Sequence, residues 1–137
     1  MEKVLFSIFL LLMVIEQYSC RQKDEYRERV EGVIRYLHKE HKYLNNKCVS
    51  VYLLEVKKCN VCTLENLHKM QTGKSYQDMI FILSDFNDSI YSYVNKTFAD
   101  KKIFIDSSKV LPRYGLSFMR NLKADICNSE LKFYQFY

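Results

Sequence analysis

The chain has 137 residues, a formal net charge of +5, five cysteines, one proline and three glycines. This length suits one domain with a modest core, and the scarcity of proline and glycine excludes a low-complexity chain and favours long regular elements. The basic balance favours acidic partners, including sulfated glycans.

The first 20 residues have the pattern of a secretory signal peptide. Lys3 precedes an unbroken apolar run from Val4 to Ile15, which is too short to span a bilayer core of about 30 Å. We therefore expect a signal peptide at 1–20 and one secreted, extracellular domain at 21–137 with no membrane span. Whether Cys20 is retained stays open.

The first half of the mature chain predicts a helix, a strand and a second helix. Apolar residues at helical spacing predict an amphipathic helix over 22–44. An apolar, β-branched run predicts a strand at 49–54. A shorter helix follows, from residue 60 or 63 to 71.

The second half predicts two more helices with a strand between them. Ser75 and Asp78 have the form of a capping box, and the stripe that follows predicts a third helix to Val94. Residues 103–105 predict a second strand. Asp106 caps a last helix, whose buried stripe contains Leu111, Phe118, Leu122 and Ile126. Four amphipathic helices favour a mostly all-α four-helix bundle in which the two strands pair.

The cysteines favour structural disulfides. A zinc site would need two close pairs, and only Cys59 and Cys62 form one. A redox CxxC motif is expected between a strand and a helix of a βαβ unit, where the helix start lowers the pKa of one thiol; no parallel sheet is predicted here. We favour one bridge from Cys48 to Cys59 or Cys62 and a second from the remaining thiol to Cys127.

Other constellations indicate no catalytic site. His38 and His41 could share a helix face but lack the HExxH zinc spacing. With no phosphate-binding loop, nucleophile elbow or triad, we expect no enzyme activity, metal, cofactor or nucleic-acid partner. Asn87-Asp-Ser and Asn95-Lys-Thr are N-glycosylation sequons.

The arrangement resembles the short-chain four-helix cytokines, the group that includes interleukin-4, interleukin-5, interleukin-13 and granulocyte-macrophage colony-stimulating factor. The resemblance depends on the signal peptide, the helix at 22–44, the strand at 49–54 and the segment CNVCTLENLHKM, which places a cysteine at the head of the second helix. It implies an up-up-down-down bundle with a small two-stranded ribbon formed by the crossover loops. It also implies a secreted ligand that assembles type I cytokine receptor chains.

The resemblance also implies charged receptor contacts on the first and last helices. The acidic residues expected there are Glu28 and Glu31 with Arg35 beside them, and the complementary basic patch is Arg113, Arg120 and Lys123. Three other functions stay open: a secreted carrier of an apolar ligand, a parasite or viral effector that resembles a cytokine, and a redox enzyme that uses Cys59 and Cys62.

Overall fold

One five-stranded mixed sheet forms the centre of the protein. The computed structural model describes residues 7–8, 25–43, 47–57, 59–73, 75–117 and 120–137. The strands are β1 (Cys48–Leu54), β2 (Asp78–Leu83), β3 (Lys102–Ile105), β4 (Leu122–Cys127) and β5 (Glu130–Phe136), and the helices are α1 (Gly32–His41), α2 (Asn60–Gln71), α3 (Asp88–Thr97) and a 3-10 helix at Leu111–Tyr114. The strand order is β3-β2-β1-β4-β5. Residues 25–30 are also helical and lead into α1.

Strands β1, β2 and β3 are parallel, with α2 connecting the first two and α3 the last two. Parallel neighbours need a crossover, which is usually a helix. The Ser84 N–H donates to the Leu54 carbonyl at 3.0 Å and the Asp106 N–H to the Leu83 carbonyl at 2.9 Å, which extends both ladders past the strand ends. A βαβ unit therefore places the start of α2 beyond the carboxyl end of β1.

Strands β4 and β5 add an antiparallel half to the other edge of β1. Cys48 lies opposite Cys127, and Leu53 lies opposite Leu122. Strand β5 follows through a tight turn in which Asn128 and Ser129 have φ values of 53° and 62°. Two successive positive φ values are those of a type I′ turn, whose twist matches a hairpin.

The two faces of the sheet bury different helices. Val49, Val51 and Leu53 pack on the face covered by α1 and the 3-10 helix. Tyr52 and Leu54 point to the opposite face, as expected from the alternation of side chains along a strand. That second face is closed by Leu67 and Met70 of α2 and by Ile90 and Val94 of α3.

The predicted all-α, up-up-down-down four-helix bundle is wrong, because the described residues form a mixed α/β fold. The helix in 22–44, the strand at 49–54, the helix ending at 71 and the strand at 103–105 are confirmed as elements. The two predicted strands do not pair in a ribbon, because β2 lies between them.

The predicted third helix, residues 75–94, is two elements. Strand β2 is central and buried on both faces, so its sequence shows no alternation that would separate it from a helical stripe. Ile82 packs toward α1 and Leu83 toward the opposite face. Ser75 caps no helix: its hydroxyl lies 2.7 Å from the Tyr52 hydroxyl.

The predicted last helix is also wrong. The Asp106 carboxylate accepts hydrogen bonds from the Val110 and Leu111 N–H groups at 3.0 and 2.9 Å, but it caps only the 3-10 helix. Leu122 and Ile126 are buried together on β4, because residues four apart share a face in a strand as well as in a helix. Phe118 lies outside the described residues.

The expected signal peptide, with Cys20, lies outside the described residues except for the helical pair 7–8. Among the residues that the structure describes, no helix has the length and apolar character needed to cross a membrane.

Candidate functional site

A disulfide joins Cys59 and Cys62 at the amino-terminal end of α2. Cys59 is the N-cap, with extended backbone angles of φ −162° and ψ 105°. Its Sγ accepts a hydrogen bond from the Cys62 N–H at 3.1 Å, and its carbonyl accepts one from the Thr63 N–H at 3.0 Å. Sulfur therefore takes the place of the side-chain oxygen that usually caps a helix. Reduction would leave the Cys59 thiol at the positive end of the helix dipole.

The start of α2 is fixed to the end of β1. Thr63 is buried, and its Oγ1 donates to the Glu55 carbonyl at 2.8 Å. Leu67 and Met70 are fully buried in the core below. Because the inner side of α2 is anchored in this way, Cys62 is held on the outer surface, where it is exposed.

A cavity of about 80 Å³ lies beside the disulfide. It is enclosed by the start of α2, the segment after β1, the start of β4 and the residue that follows β5. The lining residues are Glu55, Cys59, Cys62, Thr63, Asn66, Arg120, Asn121 and Tyr137.

Hydrogen bonds across β1 and β4 hold the acidic side of this cavity. The Glu55 N–H donates to Asn121 Oδ1 at 2.8 Å. The Glu55 carboxylate accepts from Ser84 Oγ at 3.0 Å and from the Lys57 N–H at 3.1 Å. The carboxylate is thus held in one orientation at the cavity wall.

Arg120 and Tyr137 also line the cavity. The Tyr137 N–H donates to the Asn121 carbonyl at 2.9 Å, which fixes the end of the chain against β4. Burial, and secondarily the charge of Asp125, raises the pKa of the Tyr137 hydroxyl, so this group stays protonated at neutral pH. Arg120 also lines this cavity, so a basic residue, an acidic residue and the disulfide are neighbours.

The outer side of the disulfide meets the start of α3. Asn87 Nδ2 donates to Asn60 Oδ1 at 2.8 Å, and Asn60 lies between the two cysteines in the sequence. Two large apolar residues next to these asparagines are exposed, Val61 by 66% and Phe86 by 57%. The Cys59–Cys62 disulfide is therefore bordered by accessible apolar surface.

The predicted disulfide pairing is wrong. Cys48 bonds to Cys127 rather than to Cys59 or Cys62. The cause is the β1–β4 pairing, which sets Cys48 directly opposite Cys127. The four cysteines that the structure describes form two disulfides, and neither spans the connection from β1 to α2.

The charged residues predicted to bind receptors are dispersed. Glu28 lies in the helical segment 25–30 and Arg35 on α1, and Glu31 is the N-cap between them, where it pairs with Arg27 at 3.3 Å. The basic residues share no helix: Arg113 is on the 3-10 helix, Arg120 is at the cavity, and Lys123 is buried on β4 with its Nζ 5.9 Å from the Tyr52 ring centre.

The histidine pair and the second sequon lie away from the disulfide motif. His41 Nε2 lies 3.0 Å from the Tyr36 hydroxyl, and its ring stacks on Phe104 with 3.8 Å between ring centres. In the described part of the chain, no group of three or more His, Cys, Asp or Glu side chains could hold a metal ion. Asn95 is exposed on α3.

Comparison with known proteins gives no family: no protein-family model and no curated protein matches the sequence. The site is therefore defined by its geometry. Sequence reasoning recognised the CxxC pair but missed Glu55, Asn66 and Asn121. The apolar run at 79–83 is visible in the sequence, but it also fits a helical stripe and so does not by itself indicate a parallel neighbour for β1.

Proposed function

We propose that the protein is a thiol–disulfide oxidoreductase in which Cys59 and Cys62 form the reactive pair. The observation that carries this proposal is the position of their disulfide at the start of α2 within the β1-α2-β2 unit. A CxxC pair beside a βαβ unit is typical of thioredoxin-like redox motifs. A redox CxxC motif is expected in a βαβ unit, and the sequence predicted no parallel sheet. The parallel pairing of β1 with β2 supplies that unit.

The reaction begins from the reduced dithiol. The Cys59 thiolate attacks one sulfur of a substrate disulfide, forms a mixed disulfide and releases the other substrate sulfur as a thiolate, which takes a proton from water. The Cys62 thiolate then attacks Cys59 Sγ, releases the second substrate thiol and forms the Cys59–Cys62 disulfide. Two electrons pass from the enzyme dithiol to the substrate disulfide, and the reverse sequence oxidises a substrate dithiol.

The local geometry favours Cys59 as the attacking group. The Cys62 N–H that donates to Cys59 Sγ at 3.1 Å would stabilise a thiolate more strongly, because hydrogen bonds to charged acceptors are the stronger ones. The helix dipole acts in the same direction. Arg120 adds positive charge to the cavity, while the Glu55 carboxylate opposes it.

The surroundings favour a polypeptide substrate in an oxidising compartment. Val61 and Phe86 present exposed apolar side chains next to the disulfide, and such surface suits an unfolded or extended polypeptide. The two disulfides are compatible with an extracellular or secretory-pathway location.

The receptor-assembly hypothesis stays an untested prediction. It depended on a four-helix bundle with paired helix faces, and the described residues form a mixed sheet instead. The three basic residues predicted to bind a receptor lie on separate elements of the described chain, whereas the CxxC disulfide has a defined position at a helix start. We therefore favour redox chemistry.

Exchange assays with cysteine variants test the proposal. Dithiothreitol supplies electrons, and both a small aromatic disulfide and a denatured disulfide-bonded polypeptide serve as substrates. We expect C59S to reduce neither substrate above background, and C62S to accumulate a mixed disulfide that mass spectrometry detects. The matched control, C48S/C127S, keeps its activity at a temperature where circular dichroism shows it folded. Full activity of C59S would contradict the proposal.

A further inference from the structure

We infer that Asn87 carries an N-glycan that controls which disulfides reach Cys59 and Cys62. This inference rests on the proposed redox function. Asn87, Asp88 and Ser89 form an acceptor sequon. Asn87 lies 25 residues after Cys62 in the sequence, and the fold brings the sequon against the CxxC motif.

The attachment atom lies at the motif itself. Asn87 Nδ2, to which the first sugar is linked, is 2.8 Å from Oδ1 of Asn60. Asn60 is the residue directly after Cys59. A glycan on Asn87 therefore begins one hydrogen bond away from the disulfide loop.

The fold accommodates this modification. Asn87 caps α3 through Oδ1, which accepts from the Ile90 N–H at 3.0 Å. N-glycosylation leaves Oδ1 unchanged and keeps one hydrogen on Nδ2, so neither the cap nor the contact with Asn60 needs to be lost. Asp88 and Ser89 beside it are exposed, which gives the sugar chain a path to solvent.

The consequence is selection by substrate size. The glycan is bulky and hydrated, and it begins at the Asn60–Asn87 contact. The sequence neighbours of these two asparagines, Val61 and Phe86, are exposed. A folded or compact polypeptide would collide with it, while a small disulfide would pass beneath. Glycosylation at this site thus narrows the substrate range without touching the cysteines.

The second sequon provides a matched control. Asn95 lies eight residues further along α3 and is exposed, which places it about 12 Å along the helix axis from Asn87. The contact with Asn60 is at the amino end of α3, whereas Asn95 is near its carboxyl end. A glycan there adds the same chemistry without covering the disulfide.

The experiment compares glycoproteins secreted from eukaryotic cells. S89A removes the Asn87 sequon and keeps the Asn87 cap, and T97A removes the Asn95 sequon; peptide mass spectrometry reads the occupancy. We expect S89A to reduce a disulfide exposed on a compact, folded polypeptide several-fold faster than the wild type, with little change in the rate on the small aromatic disulfide. T97A should match the wild type on both substrates.

Each outcome assigns the failure to one hypothesis. An unoccupied Asn87, or equal polypeptide rates for wild type and S89A while the small disulfide is still reduced, would overturn the glycan inference alone. If none of these proteins reduces the small disulfide, the proposed redox function fails.

Discussion

The two disulfides lie at opposite ends of β1 and differ in the structure that surrounds them. Cys48 is the first residue of β1 and bonds to its cross-strand neighbour Cys127. The Cys59–Cys62 bridge follows the other end of the strand and closes a helix start. Seven residues of strand separate the two ends by about 20 Å.

Loop size explains why one bridge suits stability and the other chemistry. The Cys48–Cys127 bridge connects residues 79 apart, and the Cys59–Cys62 bridge connects residues 3 apart. Loop-closure entropy gives about 4.5 kcal/mol for the first and about 1.6 kcal/mol for the second. A short loop can open and close with little effect on the fold, which is what a redox cycle requires.

The largest expected contrast is in the free energy of unfolding. C48S/C127S should lower it by about 2–4 kcal/mol, whereas C59S/C62S should lower it by about 1 kcal/mol. Urea unfolding of both double variants and of the oxidised wild type measures the difference. A larger loss in C59S/C62S would reverse the assignment of the two bridges.

The second contrast is in the order of reduction. Cys62 is exposed and Cys59 is half-buried, while Cys48 and Cys127 are both half-buried between paired strands. The more exposed bridge is expected to be the more easily reduced. We expect the Cys59–Cys62 bridge to be reduced at a ratio of reduced to oxidised glutathione about tenfold lower than the Cys48–Cys127 bridge requires. This corresponds to a difference of about 1.4 kcal/mol. Alkylation of free thiols and mass spectrometry across a glutathione series measure the order of reduction. Reduction of both bridges at the same ratio would argue against two separate roles.

A matched pair of hydrogen-bond variants separates stability from exchange rate. Asn121 Oδ1 accepts from Glu55 at the reactive end, and Ser50 Oγ donates to Asp125 Oδ1 at 2.6 Å toward the other end. N121A and S50A should each cost about 1 kcal/mol of stability. Only N121A should also slow disulfide exchange, because it loosens the cavity wall. Equal exchange rates would show that the wall does not position the site.

The smallest expected effect is an acid-dependent loss of stability that involves neither disulfide. Burial lowers the pKa of His41 below its usual value of 6.5, against the opposing charges of Glu40 and Asp106. The unfolded chain therefore takes up a proton first as the pH falls through 6.5, and stability decreases from there toward the lower pKa of the folded state. H41Q should flatten this decline in urea unfolding between pH 7.5 and 5, and an unchanged slope would assign it to other groups.

Local patterns allowed part of this structure to be predicted. The β-branched run of β1 and the amphipathic spacing of α1 and α2 each identify an element within one short segment. The sequence predicts a helix in place of β2, because burial on both faces removes the alternation of apolar and polar residues that identifies a strand. The predicted last helix is wrong for a different reason, because the spacing of Leu122 and Ile126 fits both a helix and a strand.

Of the candidate site, only the cysteine pair could be predicted from the sequence. CxxC is visible in the sequence, but the contact of Glu55 with Asn121 joins residues 66 positions apart. That contact exists because β4 pairs with β1, and no local pattern encodes which strands become neighbours. The same pairing decides the partner of Cys48, which is why the predicted bridges were wrong.

The central position of β1 also determines when the sheet can be completed during synthesis. One edge of β1 pairs with β2, which ends at Leu83. The other edge pairs with β4, which begins at Leu122 and is therefore synthesised later. Such non-local pairing slows folding, and an unpaired edge invites association with other chains. A nascent chain therefore keeps one edge of its central strand unpaired until residues 122–127 have emerged, and it has most need of a chaperone in that interval.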